Sequence, residues 1–122
     1  MIGNKKVILP NGEKRWYKDG KLHREDGPAI KCVNGDKLWY KNDKYHREDG
    51  PAVEHTNGDK WWFKNGELHR EDGPAIEYTD GDYYWYLEGK LHRKKNNGPA
   101  VKNGNDFEWW INGTLMHLQL NI

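Results

Sequence analysis

The sequence predicts an all-β protein, an elongated and twisted antiparallel array of about five β-hairpin units of 23 residues each. The heptapeptide HREDGPA occurs at 23–29, 46–52 and 69–75, which fixes the period. Asn-Gly or Asp-Gly pairs stand between short stretches rich in aromatic and β-branched residues, and this pattern is typical of hairpins. No stretch has helical periodicity.

The units cover the whole chain, so 1–122 is predicted to be one repeat domain. A two-stranded unit cannot bury its own face, so neighbouring units must pack together and the end units need caps. The predicted caps are 1–10, with Val7 to Leu9, and 115–122, where Leu118, Leu120 and Ile122 alternate along one face. The units begin near residues 11, 34, 57, 80 and 103.

Each unit carries two turn signals. A two-residue loop at Asp19-Gly20 places Trp16 opposite His23, and the same treatment of Asn34-Gly35 places Ile30 opposite Trp39. In the second unit Asp43 stands where glycine is expected, which predicts a left-handed backbone there. The predicted hairpin turns are Asp19-Gly20, Asn34-Gly35, Asn57-Gly58, Asn65-Gly66 and Glu88-Gly89.

The composition predicts a core built from aromatic rings. Hydrophobic residues make up 34% of the chain, yet it holds seven Trp and seven Tyr. One tryptophan per unit stays in register, and these rings are interpreted as core pillars, with a stacking ladder for bases or sugars as the alternative. Trp61 occupies a position that varies between units, which favours an exposed binding surface. The tryptophans in register are Trp16, Trp39, Trp62 and Trp85, followed by Trp109 or Trp110.

The HREDGPA segment contains residue types that also serve in metal and acid-base sites. A residue repeated in every unit is usually needed for folding, so we interpret this set as structural, with a repeated metal site as the alternative. Asp-Gly-Pro is predicted to form a turn in which Gly supplies a positive φ, and the Arg side chains are predicted to pair with the carboxylates. We expect no catalytic site and no cofactor. The structural set is His23, His46, His69, His92, Asp26, Asp49 and Asp72.

Charge and cysteine content exclude several functional classes. The formal net charge is +1, too small for a strong field toward nucleic acid or an anionic membrane. The single Cys32 excludes an internal disulfide and favours a reducing compartment, so we predict a cytoplasmic protein. No apolar stretch has the length of a signal-peptide core or a membrane span.

The fourth unit departs from the repeat. HREDGPA becomes HRKKNNGPA, and two residues are lost before Asn103-Gly104, which restores the sequence register. Arg93, Lys94 and Lys95 lie together there without the usual Asp, and this predicts a basic patch on an exposed loop as the first choice of contact site.

The Tyr-Lys-Asn-Gly hairpin, the tryptophan in register and the period of 23 resemble the MORN-repeat superfamily, particularly its divergent variants in bacteria, phages and large DNA viruses. The resemblance implies an elongated hairpin array that binds other molecules and has no enzymatic activity. A phage or mobile-element factor that inhibits or modulates a host or defence protein is one role it implies.

Three binding functions follow from these patterns. The leading prediction is a module that binds another protein. The alternative is single-stranded nucleic acid, bound where aromatic and basic residues alternate, as from Arg15 to Lys18 and from Trp61 to Lys64. The third is a carbohydrate or choline ligand held between aromatic hairpins.

Overall fold

The computed structural model describes residues 3–121 and confirms the all-β hairpin array. Apart from one turn of 3-10 helix, the described elements are short strands. None of the described segments is a helix of the length and apolarity needed to cross a membrane. The elements are β1 (Asn4–Ile8), β2 (Lys14–Lys18), β3 (Lys21–Leu22), β4 (Ile30–Lys31), β5 (Lys37–Leu38), β6 (Tyr40–Lys41), β7 (Lys44–Tyr45), β8 (Val53–Glu54), β9 (Lys60–Trp61), β10 (Phe63–Lys64), β11 (Glu67–Leu68), β12 (Ile76–Glu77), β13 (Tyr83–Tyr84), β14 (Tyr86–Leu87), β15 (Lys90–Leu91), the 3-10 turn Lys95–Asn97, β16 (Val101–Asn103), β17 (Asp106–Ile111) and β18 (Thr114–Gln119).

Most of the strands form one open antiparallel sheet of twelve strands. Its path is β1-β2-β4-β5-β8-β9-β12-β13-β16-β17-β18, with β3 added beside β2. The pairs β6-β7, β10-β11 and β14-β15 form separate two-stranded ribbons. In each internal unit the two residues before the tryptophan in register pair in the long sheet, and the two residues after it pair in a ribbon.

The tryptophan in register lies where the strand divides between sheet and ribbon. Trp39 donates its N–H to the carbonyl of Ala52 at 2.7 Å and accepts the N–H of His46 at 3.1 Å. Ala52 is fully buried, which explains why HREDGPA ends in a residue as small as alanine. Trp16, Trp62 and Trp85 make the same pair of bonds with the alanine and histidine of their own units.

The second turn of each unit is a two-residue loop in which both residues have positive φ, the type I′ geometry. This confirms the predicted turns at Asp19-Gly20, Asn65-Gly66 and Glu88-Gly89. Asp43 has φ 66°, as predicted, so a non-glycine residue occupies the left-handed region.

The predictions of two-residue turns at Asn34-Gly35 and Asn57-Gly58 are wrong, because each loop is one residue longer. The N–H of Cys32 donates to the carbonyl of Asp36 at 2.9 Å, which closes a three-residue loop with Gly35 at φ 98°. The side chain of Asn34 also accepts the N–H of Asp36, and this favours the longer loop. Ile30 consequently lies opposite Leu38 instead of Trp39.

This shift of register changes the position of Trp61. In the next unit Val53 lies opposite Trp61, so Trp61 belongs to the long sheet and is half-buried. Its ring lies edge-on to His55 at 5.4 Å between centroids. The prediction of an exposed Trp61 is therefore wrong. The three-residue loop shifts the strand register by one residue, and this places Trp61 in the sheet opposite the neighbouring strand.

The fourth unit is rebuilt in two places. The two inserted residues lie in a loop that contains the 3-10 turn, and the following turn shortens to two residues, since Asn103 pairs with Asp106. Trp109 is thus the structural equivalent of Trp85, one residue later than the sequence register predicts. Arg93 donates its N–H to the carbonyl of Trp110, as Arg70 does to Tyr86, which supports this equivalence.

The described residues at both ends of the array form long strands. β1 pairs along the whole of β2, and β18 pairs along β17 with a bulge between Trp109 and Trp110. The side chains of Leu118 and Leu120 are 45% and 54% exposed. Ile122, the last member of the predicted apolar face, lies outside the described residues.

Candidate interaction surface

The loops that carry HREDGPA and its variant define a surface that we call the loop edge, residues 23–29, 46–52, 69–75 and 92–100. Each loop follows the histidine of one unit and ends at the buried alanine that binds its tryptophan. Grooves lie between consecutive loops, with volumes of about 540 Å³ between the first and second and about 630 Å³ between the second and third.

An arginine from each loop stacks on the tryptophan of its unit. The guanidinium carbon lies 3.8 to 4.1 Å from the ring centroid in four units, which is a close cation–π contact. The arginine Nη1 also donates to the carbonyl of the loop proline at 3.0 to 3.1 Å. The stacked pairs are Arg24 on Trp16, Arg47 on Trp39, Arg70 on Trp62 and Arg93 on Trp85.

The loop glycine makes room for this guanidinium. A Cβ at Gly27 would lie 3.0 Å from the Cζ of Arg24, and one at Gly73 only 2.5 Å from the Cζ of Arg70. Gly27 and Gly73 do not have a positive φ, so the predicted role of these glycines in the turn is wrong. Glycine is required here because the arginine packs directly against the backbone.

The loop aspartates bind the arginines, as predicted. Arg24 Nε donates to Asp26 at 3.0 Å, and Arg47 and Arg70 bind Asp49 and Asp72 at 3.1 Å. These carboxylates remain 87 to 89% exposed, so each ion pair adds little stability by itself.

The repeated histidines join one unit to the next. His46 Nδ1 accepts the N–H of Asn65, the first turn residue of the following unit, at 3.0 Å. Since Nδ1 accepts, the ring proton is on Nε2, which lies 2.6 Å from Glu48. This hydrogen bond from His46 lowers the pKa of Glu48. His23, His69 and His92 bind the turns of their following units in the same way.

A repeated metal site has no geometric support in the described part of the chain. No three His, Cys, Asp or Glu side chains of residues 3–121 are arranged to hold a metal ion. In His23 and His46 both ring nitrogens that a metal would need are already hydrogen-bonded, one to a backbone N–H and one to a glutamate.

Charge along the loop edge changes sign at the fourth loop. The first three loops expose a glutamate and an aspartate each, with side chains 63 to 89% exposed. The fourth loop exposes Lys94 and Lys95 instead. The loop edge is therefore acidic along three units and basic at its C-terminal end.

Arg93 does not belong to the exposed basic patch that the sequence predicts. It is half-buried on Trp85, and among the residues described its Nε is buried without a hydrogen-bond acceptor. The reason is the missing aspartate, which supplies this acceptor in the first three loops. Of the three residues of the predicted basic patch, only Lys94 and Lys95 are exposed.

A further groove lies between the fourth loop and the terminal hairpin, and we call it the C-terminal groove. Its volume is about 420 Å³, and its lining differs from the charged grooves between the regular loops. It is lined by Lys95, Asn96, Trp109, Ile111, Met116 and His117. Met116 is 62% exposed. The sequence did not predict this groove, although it shows His117 at the position that arginine holds in the other units.

The other predicted contact residues are not close to this groove. Arg15 is half-buried and donates from Nε to Glu13 at 2.7 Å, while Lys18 is exposed opposite Lys21. The strand that carries Arg15 and Lys18 lies seven places along the sheet from β16, which corresponds to about 30 Å. These residues and Lys94 cannot form one contact patch.

Comparison with known proteins adds no family. No protein-family model matches the sequence, and the search of curated proteins finds no match. The class of the protein is therefore given by its structure, an all-β repeat array of consecutive hairpins.

Proposed function

We propose that this chain is a non-catalytic repeat scaffold that binds another protein at the C-terminal groove and the adjoining fourth loop. The observation that carries the proposal is the lining of this groove, where Trp109, Ile111 and Met116 lie beside Lys95. Aromatic residues and methionine are enriched in protein interfaces, and an apolar floor with a charged rim is their usual arrangement.

The engagement of the repeated polar groups supports a non-catalytic role. In the first three units the arginine, histidine and aspartate of each loop are bound to other groups of the fold, so no acid-base pair is left free there. Burial raises the pKa of the Cys32 thiol, which keeps it in the unreactive form.

The MORN-like family and a cytoplasmic location belong to the same proposal. The 23-residue period and the lone Cys32 support them. A phage-encoded inhibitor of a host protein is the specific role that we propose to test, because it needs only a binding surface.

Single-stranded nucleic acid is the alternative, and two of its predicted stacking rings are already engaged. The predicted stacking rings Trp16 and Trp62 are covered by Arg24 and Arg70. These faces are therefore not free for bases.

The test compares two charge-reversed forms of the chain in affinity capture from its host. Lys94→Glu with Lys95→Glu is expected to lower capture of the specific partner at least about tenfold, because the rim of the groove becomes acidic. The matched control, Lys5→Glu with Lys14→Glu, makes the same charge change at exposed positions of the other end. It is expected to leave capture and the melting temperature unchanged.

Three results would count against the proposal. Equal capture by both charge-reversed forms would remove the fourth loop from the contact. Capture that disappears after nuclease treatment would indicate nucleic acid. Recovery of glycans or choline-bearing polymers in place of a protein would indicate the third binding class.

A further inference from the structure

Trp109 differs from the other tryptophans in register in what covers its ring. In four units a guanidinium lies over the tryptophan at 3.8 to 4.1 Å. Within residues 3–121 no Lys or Arg lies over Trp109, whose ring has His117 at 5.0 Å between centroids, tilted by 60°. We propose that Trp109 is a binding site for an arginine side chain of the partner, an inference that rests on the proposed function.

The sequence explains why this ring has no arginine of its own. In the terminal hairpin the bulge brings His117 opposite Trp109. In the earlier units the arginine is the fourth residue after the two-residue turn, as Arg93 is after Gly89, but the fourth residue after Gly113 is His117. Leu118 continues in β18 opposite Glu108 instead of entering a loop. The fifth unit therefore has His117 at the position of the arginine and Met116 at the position of the repeated histidine.

The groove at Trp109 has the size and lining for such a side chain. Its volume is about 420 Å³, and Ile111 and Met116 supply apolar walls for the methylene stem of an arginine. This is how the chain itself treats the residue, since its own arginines combine a buried stem with a stacked guanidinium.

The protein also indicates which cation it prefers on these rings. Around Trp16 the amino groups of Lys6 and Lys31 stand at 5.3 and 5.7 Å, whereas Arg24 lies at 3.9 Å. A planar guanidinium stacks flat on an indole, and an ammonium does not. Arginine is therefore the expected ligand.

The rim sets a second requirement on the ligand. Lys95 lines the groove and Lys94 is exposed beside it, so an isolated arginine would be repelled. An arginine followed by acidic residues satisfies both features, because its carboxylates pair with the lysines. The loops at 23–29, 46–52 and 69–75 have this order, His-Arg-Glu-Asp. The ligand class is thus a protein segment with an arginine next to carboxylates.

The test uses a peptide of the chain's own loop sequence, acetyl-HREDGPA-amide, against the full-length protein labelled with nitrogen-15. The indole N–H signal of Trp109 is assigned from the Trp109→Phe variant and followed as the peptide is added. A saturable shift confined to that signal and its neighbours is expected. A matched peptide with citrulline, the uncharged analogue of arginine, is expected to bind about 5- to 30-fold more weakly.

The citrulline comparison needs only the natural protein, so a variant that fails to fold does not weaken it. Equal affinity of the two peptides, or no shift of the Trp109 signal at millimolar arginine peptide, would overturn the inference. Partner capture separates this result from the proposed function. Capture that survives in a folded Trp109→Leu protein but is lost on reversing Lys94 and Lys95 would leave the scaffold role intact and refute the arginine site.

Discussion

The regular junctions and the C-terminal end of this array are built from the same hairpins but leave different groups free. At the regular loops the arginine has a ring, a carbonyl and a carboxylate, and the histidine binds the next unit. At the other end Arg93 Nε has no acceptor in the described chain, Trp109 has no stacked cation, and β18 is exposed throughout. The loop arginines and histidines of the regular part are bound within the fold, whereas the end presents an exposed strand and a tryptophan that no arginine of residues 3–121 covers.

The largest expected difference between the two regions is in stability. Trp62→Ala should lower the free energy of unfolding by about 3–5 kcal/mol, because Trp62 has units on both sides and carries Arg70 on its ring. Trp109→Ala should cost less than half as much, since in the described structure its unit packs against a neighbouring unit on one side. Urea unfolding of both variants measures this directly. Equal losses would show that the terminal unit is as tightly integrated as an internal one.

The histidine link is the next most informative position. His46→Phe should destabilise the chain by about 1 kcal/mol or somewhat more, because it removes the acceptor of the Asn65 N–H from a part-buried junction. His117→Phe is the matched control, since His117 is exposed and its ring accepts no turn N–H among residues 3–121. Thermal unfolding should show a clear loss only for the first variant. A similar loss for both would mean that the histidines act by packing alone.

The period, the strand content and the I′ turns could be predicted from sequence, because each depends on local chemistry. The register of the other turns could not. Asn65-Gly66 forms a two-residue loop with Asn65 at φ 51°, but Asn57-Gly58 lies in a three-residue loop. The dipeptide is the same, so pairing with the neighbouring strands decides between the two geometries.

The C-terminal groove could not be predicted from the sequence for a different reason. Its lining residues, such as Lys95 and Met116, are separated in sequence and are brought together only by the rebuilt loop and the bulge in β18. The role of Gly27 was also hidden, because nothing local shows that the guanidinium of Arg24 packs against it. Contacts between side chains of one loop need the three-dimensional path of that loop.

Acid titration sharpens the account of the regular junctions. The N–H of Thr56, and then His55, hold the pKa of Asp36 below its usual value. A carboxyl whose pKa is lower in the folded state stabilises the protein above the usual pKa of about 4, and this stability is lost as the pH falls. Asp36→Asn should therefore lower the free energy of unfolding by about 0.5–1 kcal/mol at pH 7. It should also make the fall of this free energy with decreasing pH less steep.

The same titration contains its own control. Below the folded-state pKa of Asp36 both proteins carry a neutral side chain at this position, so their stabilities should converge. Urea unfolding at a series of pH values between 2 and 7 gives the comparison. A constant gap across the whole range would show that the carboxylate charge has no part in binding Thr56 and His55.

The smallest expected effect is at Asp43, where two contributions oppose each other. Its left-handed backbone, φ 66°, makes glycine preferable by about 0.5–1 kcal/mol. However, Asp43 Oδ1 accepts the N–H of Leu22 from the preceding unit at 2.7 Å, a bond worth about 0.5–1.5 kcal/mol that glycine cannot make. Asp43→Gly should therefore change the stability by less than about 0.5 kcal/mol.

Two further variants separate these contributions at Asp43. Asp43→Ala removes the bond and keeps the strain, so it should lose about 1–2 kcal/mol, whereas Asp43→Asn keeps the acceptor and tolerates the left-handed region. Urea unfolding with an unchanged denaturant slope gives the differences. A clear gain from glycine would mean that the side chain adds nothing to the contact between units. The regular junction would then be held at this point by its backbone bond from Asp43 to Leu22 alone.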